Sequence, residues 1–309
     1  MSQKITIGTR GSELALWQAN FTKNNLEKLG VEVELNIIKT QGDKIQNLSF
    51  DKMEGKGFFT KEIEEALLSN QIDLAVHSHK DLETTPPEGL AIAAVSYREN
   101  PADVLLIRKE AVDETQTFSI KKNAVVGTSS ARRKNQLLFF REDISLNDLR
   151  GNVPTRIQKL RDGNYDAIML AKAGVDRLQI DLSEFHEEEL SPKEFIPAPA
   201  QGVLAYQIRK NDNTAKQIIS QLNHNDVAEC IYVERTILNR LDGGCQLPLG
   251  AYCEKIDNEF HVWVSAAKDW QSTPVRLYRT SENAEELVNI VLSDLKKKVR
   301  HSASSSLVK

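Results

Sequence analysis

Residues 4–29, KITIGTRGSELALWQANFTKNNLEKL, decide the fold class. The opening KITIG, with three consecutive β-branched residues at 5–7, reads as a strand. The stretch 12–29 then reads as a helix whose Leu14, Trp17, Phe21 and Leu26 approximate one face, closed by Gly30. A strand feeding a helix is the unit of an α/β sheet, and the grammar repeats outward. Residues 31–40 read as a second strand, Thr60 as the cap of a helix reaching residue 68, 72–77 as a buried strand, and 90–97 as another β-rich run. Asn100-Pro101 is a break, and a domain boundary near residue 100 is expected. Beyond it come a strand at 124–127, a helix from about Ser130, a strand at 166–170 and a short helix through Leu178. The prolines at 197 and 199 mark a return crossing, after which 202–208 would rejoin the first unit. From residue 227 the pattern becomes helix, β segments at 260–266 and 275–280, and a final helix at 284–299 with a frayed tail at 301–309. The fold class expected is α/β, with two doubly wound lobes plus a smaller α+β C-terminal domain. The units are 1–99 with a return segment at 197–216, 100–196, and 217–309. The polar, glycine-bounded stretch 42–57 reads as a mobile lid.

Composition narrows the function. Its 309 residues carry 40 Lys and Arg against 44 Asp and Glu, a formal net charge of −4, so no global field favours a polyanion such as nucleic acid. The opening residues lack a basic region followed by an apolar stretch, and no window approaches the ~18 apolar residues of a spanning helix. A cytoplasmic monomer with no membrane partner is expected. Cys230, Cys245 and Cys253 show no CxxC spacing, which argues against a disulfide framework or a zinc site. His77 and His79 share a strand face with no third ligand nearby, so no metal is expected.

Against this acidic background, arginines and hydroxyls recur where strands end: Thr9-Arg10-Gly11-Ser12, Thr128-Ser129-Ser130-Ala131-Arg132-Arg133, Arg150-Gly151-Asn152 and Thr155-Arg156. Ligands of open α/β sheets bind at such ends, where helix N-termini present free N–H groups and guanidiniums pair with carboxylate or phosphate. Each run read alone is a capped helix with solvated arginines; four of them in one chain point to a multiply charged anion. The run DLAVHSHKD at 73–81 ends an apolar strand in adjacent opposite charges, where Asp81 is a candidate acid or base and the bland reading is a surface turn. In LDGGCQLPLG at 241–250, glycines before Cys245 hold a thiol on a loop open to a bulky group, although a structural thiol is the commoner use of such a residue. Cys230 and Cys253 lie in helical and strand-like apolar patterns and read as core.

Taken in order, these strings resemble the porphobilinogen deaminase (hydroxymethylbilane synthase) family over nearly the whole chain. The residues that carry the likeness are IGTRGS at 7–12, LALWQA at 14–19, TQGDK at 40–44, GKGFFTK at 55–61, AVHSHKDL at 75–82, VGTSSARR at 126–133, LRGNVPTR at 149–156, DAIMLAKAG at 166–174, AQG at 200–202, Glu234-Arg235 and GGCQLP at 243–248. The resemblance implies two hinged lobes like those of periplasmic binding proteins. It implies a transferase of tetrapyrrole (porphyrin, haem) biosynthesis that joins porphobilinogen into hydroxymethylbilane with loss of ammonia. It also implies a dipyrromethane cofactor held as primer by a thioether to Cys245. By matched motif, Asp81 contacts the pyrroles and moves protons, while Lys80, Thr128, Ser129, Arg132 and Arg133 hold the primer. Arg10, Ser12, Arg150 and Arg156 take the incoming substrate, Phe59 lies beside the rings, Gln201 belongs to the hinge, and Arg177 lies at the cleft. The chain departs from the pattern with His79 in place of methionine, Ala131 in place of leucine, Pro199-Ala200 in place of a Val-Gly type pair, and Asp176 in place of lysine. The competing readings are a two-lobed anion-binding or sensor protein, which needs no loop cysteine, and a cysteine acyl transferase, which needs a histidine beside Cys245 that no local motif supplies.

Overall fold

The computed structural model describes residues 4–40, 60–241 and 247–305, with the side chains of 299–305 left aside. Among these residues the chain forms two five-stranded sheets and one three-stranded sheet. In the first, β1 (Lys4–Thr9) runs parallel to β2 (Glu32–Ile37) and β3 (Leu74–Ser78) on either side of it. Strand β10 (Leu204–Arg209) inserts antiparallel between β3 and β4 (Leu90–Val95). The second sheet repeats this plan: β6 (Val125–Gly127) lies parallel between β7 (Ser145–Asn147) and β8 (Ala167–Ala171), and β5 (Asp103–Arg108) lies antiparallel between β8 and β9 (Phe185–Leu190). Each antiparallel strand therefore arrives from the other lobe, across residues 96–102 or 191–203. This is the two-lobed α/β plan with a smaller α+β unit that the sequence leads one to expect.

Several helices start where short polar side chains satisfy free N–H groups. Ser12 caps α1 (Glu13–Lys28), accepting from Ala15 N at 3.4 Å. The face α1 buries differs from the one its apolar residues suggest: Gln18, Ala19, Thr22 and Leu26 are buried, whereas Trp17 and Phe21 stack on each other at 5.3 Å and are half-buried. Within the apolar stripe, Leu26 and Phe21 pack on the first lobe's core, while Leu14 and Trp17 meet the second lobe, with Leu14 beside Gly174 and the Arg177 guanidinium over Trp17. A second correction concerns α2 (Lys61–Leu68): Thr60 keeps helical backbone angles and its hydroxyl turns to Glu64 Oε2, so it makes no cap.

In the third unit, α7 (Asn225–Arg240) and α8 (Ala284–Ser305) cover one face of the antiparallel sheet β11 (Leu249–Ile256), β12 (Glu259–Ala266) and β13 (Val275–Ser281). The last helix continues through Ser305, past the end expected near residue 299. Cys230 and Cys253 are buried in this core. The Cys230 thiol beside it, and burial after that, push the Cys253 thiol up, which leaves it without thiolate character near neutral pH.

The crossings are tightly bonded. Gly202, with φ +89°, lets the two strands pass so closely that a Cβ there would lie 2.3 Å from Glu99 O. Ala200, the departure from a glycine-type pair, adopts a left-handed φ of 65°. Glu234 of α7, fully buried, accepts from Arg98 Nη1 at 2.6 Å, Ala200 N at 2.7 Å and Cys253 N at 2.7 Å, so the third unit is fixed to both crossings.

Candidate active site

At the C-terminal end of β3 the chain makes a three-residue 3-10 turn, His79–Asp81. His79 and Leu82 are buried and anchor the turn, while Asp81 is exposed and Lys80 half-buried. Lys80 Nζ donates to Gln201 Oε1 at 3.3 Å. Its ammonium is pushed down to about 8, first by burial, against the attraction of Asp81 and then with the repulsion of Arg133. Gln201, fully buried on the second crossing, donates from Nε2 to Pro101 O at 2.8 Å, Ala102 O at 3.2 Å and Asp103 Oδ1 at 3.0 Å. One amide thus joins the first lobe's turn to the first strand of the second lobe.

Asp103 is the centre of the second lobe's charge. It accepts from Arg132 Nη1 at 2.6 Å and from Arg133 Nη2 at 2.7 Å and Nε at 3.1 Å. All three residues are buried, and the paired guanidiniums overcome burial to hold the Asp103 carboxyl well below its ordinary range. Arg132 and Arg133 sit in the first turn of α3 (Ala131–Phe140), capped by Ser130. Asp103, Ile196 O and Met169 O engage these two guanidiniums. Ser129 is likewise engaged, its hydroxyl donating to Leu149 O at 3.0 Å and accepting from Leu149 N, and buried Thr128 accepts from Ser130 N at 3.3 Å.

Facing this centre is Arg156 in α4 (Val153–Arg161), with Nε on Gly151 O at 2.8 Å. Burial pushes it down to about 10, with Arg133 and Arg150 adding repulsion and Asp81 from the other lobe opposing them. Asp81 and Lys80 from the first lobe therefore share one electrostatic cluster with Arg132, Arg133, Arg150 and Arg156 of the second. Arg10 ends β1 half-buried and its charge reaches His77, while Ser12 is committed to its helix cap. Arg177, in α5 (Lys172–Leu178), is placed at the crossing: Nη2 donates to Gly202 O at 2.8 Å and the guanidinium lies 5.5 Å from the Trp17 ring centre. Phe59, Cys245 and the stretch 42–57 lie outside the described residues.

The family models settle whose cleft this is. Residues 5–217 match the porphobilinogen deaminase dipyromethane cofactor binding domain, and residues 228–297 match the porphobilinogen deaminase C-terminal domain. The chain belongs to the porphobilinogen deaminase family. It is 43% identical to the porphobilinogen deaminase of Maridesulfovibrio salexigens over 94% of this chain and 93% of that one. It is 41% identical to the probable porphobilinogen deaminase of Sulfurisphaera tokodaii over 85% of this chain and 86% of that one. Among solved structures, a probable amino-acid ABC transporter extracellular-binding protein from Bacillus subtilis is similar with a TM-score of 0.44 and 14% identity, covering 77% of this chain and 97% of that one. Membership of the porphobilinogen deaminase family makes the chain a hydroxymethylbilane synthase, a transferase of tetrapyrrole biosynthesis with a dipyrromethane cofactor.

The sequence motifs do not point to Asp103, the carboxylate that orders the arginine pair. Its signal is a lone acid at the head of an apolar strand, Asp103-Val104-Leu105-Leu106-Ile107, where an unpaired charge cannot stay buried. His77, bonded to Gln207 Oε1 at 3.0 Å and pushed down to about 4, chiefly by burial, is a core histidine. Among the described residues no group of three or more His, Cys, Asp or Glu is placed to hold a metal ion, and no helix is long and apolar enough to cross a membrane.

Proposed function

We propose that the chain joins porphobilinogen units head-to-tail into the linear tetrapyrrole hydroxymethylbilane, releasing ammonia, on a dipyrromethane linked by a thioether to Cys245. The observation that carries this reading is the cluster in which the positive charges of Lys80, Arg132, Arg133, Arg150 and Arg156 lie around Asp81 and Asp103 among the described residues. Excess positive charge at partial burial favours a ligand bearing several carboxylates, and each pyrrole ring of the cofactor and substrate carries an acetate and a propionate. The donor set therefore fits the cofactor. When bound, the dipyrromethane supplies the pyrrole carbon at which the chain grows.

Lys80, Thr128, Ser129, Arg132 and Arg133 hold the primer's carboxylates, the arginines from a platform fixed by Asp103. Arg10, Ser12, Arg150 and Arg156 take those of the incoming porphobilinogen, Phe59 lies beside its ring, and Gln201 and Arg177 hold the crossings. Asp81, exposed between the lobes, offsets the cation left on the substrate's methylene carbon when the amino group of its aminomethyl arm departs as ammonia, and moves the protons of ring coupling. The working units are 1–99 with 197–216, 100–196 and 217–309, acting as a monomer in the cytoplasm.

The test is intact mass. The parent should exceed its sequence mass by one dipyrrole, Cys245→Ser should match its sequence mass, and Cys230→Ser and Cys253→Ser should keep the adduct, since serine is a far poorer nucleophile than thiol. An adduct on the Cys245→Ser protein would move the attachment elsewhere.

A further inference from the structure

The turn that carries Lys80 and Asp81 is held from outside its own lobe. Arg235, on α7, donates from Nη1 to His79 O at 2.9 Å and from Nη2 to Leu82 O at 3.3 Å and Glu83 O at 2.5 Å. One helical turn later, Asn239 Nδ2 donates to the hydroxyls of Thr84 and Thr85, each at 3.1 Å. A single 3-10 turn has poor internal bonding, and here Leu82 N meets His79 O at a long 3.3 Å. Its carbonyls form the negative end of the turn, and a guanidinium placed on them acts as a charged C-terminal cap. Arg235 and Asn239 are four apart, so both project from one face of α7 onto residues 79–85. The same helix ends at Arg240, a few residues before Cys245.

We propose that Arg235 and Asn239 are positioning residues that hold the Lys80–Asp81 turn in register with α7 of the third unit. This rests on the reading of Asp81 and Cys245 given above. The carboxylate is then tied to the third unit through α7, and the relative motion that chain growth demands falls on the second lobe's arginines. Neither residue is assigned a contact with substrate. Their effect is transmitted through the backbone of the turn.

The experiment uses preassembled holoenzyme of the parent, Arg235→Leu, Arg235→Lys and Asn239→Ala, each checked by intact mass and then assayed for porphobilinogen turnover. Misplacing a catalytic group by about 1 Å can cost on the order of 10²-fold. Arg235→Leu should lose about 10–100-fold in kcat with KM within about threefold and the adduct retained, Arg235→Lys should recover part of the loss, and Asn239→Ala, at an exposed site, should lose about two- to fivefold. If kcat of the Arg235 and Asn239 variants matches the parent, the proposal is overturned. It is overturned equally if kcat, affinity and adduct fall together, as general damage to the fold would cause; should Arg235→Leu not fold, the Asn239→Ala result decides. A parent protein without adduct or turnover would instead refute the underlying reading of the site.

Discussion

Replacing Asp103 by Asn tests whether the second lobe's arginine pair depends on its buried carboxylate. The side chain is 0% exposed and accepts hydrogen bonds from Arg132 Nη1, Arg133 Nε and Nη2, and Gln201 Nε2. An amide of the same size keeps one acceptor oxygen but removes both ion pairs, leaving two buried guanidiniums with backbone carbonyls but without their paired carboxylate. Attraction between opposite charges ~4 Å apart at an effective dielectric of ~20 is about 4 kcal/mol. Breaking one side of a buried pair costs about 3–5 kcal/mol after relaxation. Two pairs share this carboxylate and part of the hydrogen bonding survives, so the loss should fall within that range. Urea unfolding followed by far-ultraviolet circular dichroism at neutral pH measures it, with Glu34→Gln, which breaks the exposed Lys4–Glu34 pair, as a control that should leave the transition in place. The sign with pH follows from the depressed carboxyl. Its contribution is complete above the ordinary value of 3.8 and is lost as pH falls through the lower folded value, so parent and variant should converge in acid. A loss under about 1 kcal/mol, within the range of exposed pairs, would refute the reasoning, because it would mean that water or other groups neutralise the arginines without Asp103.

Asp81→Asn holoenzyme should keep its dipyrrole and lose about 10²–10⁴ in single-turnover conversion of porphobilinogen, with Asp81→Glu less impaired; conversion within about threefold of the parent would return Asp81 to a surface turn. Gly202→Ala should lower stability by more than ~2 kcal/mol, since a left-handed residue costs about 1–2 kcal/mol and overpacking typically 1–3 kcal/mol more, with Glu99 O only 2.3 Å from the new Cβ; an unchanged urea midpoint would contradict the close crossing. Burial first, then the Arg235 charge, hold His79 well below 6.5, so the unfolded chain takes up its proton first and stability falls as pH drops below 6.5. His79→Met should flatten that part of the stability–pH curve, and an unaltered slope between pH 6.5 and 4 would show that the imidazole is solvated.

What the sequence displays is what is encoded locally. Apolar runs bounded by turn residues give β1, β3, β6 and β8, and Ser12 and Ser130 mark the starts of their helices because a cap is a property of three or four neighbouring residues. Polar edges are hidden from such a reading: β9, Phe185-His186-Glu187-Glu188-Glu189-Leu190, alternates too weakly to stand out, and β7 has only three residues. Thr60 fails as a cap because a backbone angle, invisible in composition, decides the outcome. The arginines of the site are legible as residue types, but their orientation is not. Arg132 and Arg133 turn to Asp103 across 29 and 30 residues, and Arg177 turns to Gly202 across 25. Those choices are tertiary, set by which carboxylate or carbonyl the crossings bring near.

The crossings explain how an acidic chain sustains so many cations in one place. Two strands that change lobes must pass each other, and the passage brings Arg98, Asp103, Gln201 and Gly202 together with Glu234 of the third unit. Every one of these contacts is a hydrogen bond between buried or half-buried groups, so the junction is polar yet largely satisfied, and its bonds strengthen as water is excluded. The third unit also grips the second lobe, with Asn135 Nδ2 on Ser272 O at 2.7 Å and Arg276 on Glu194 O, while Arg235 grips the first. A hinge tied on both sides in this manner resists free opening, because each lost bond would leave a desolvated polar group. Under the proposed reading, a growing chain is then accommodated by short displacements of the half-buried Arg150 and Arg156 of the second lobe, rather than by swinging the lobes apart. The fully buried Asp103 and Gln201 hold the frame within which those displacements occur.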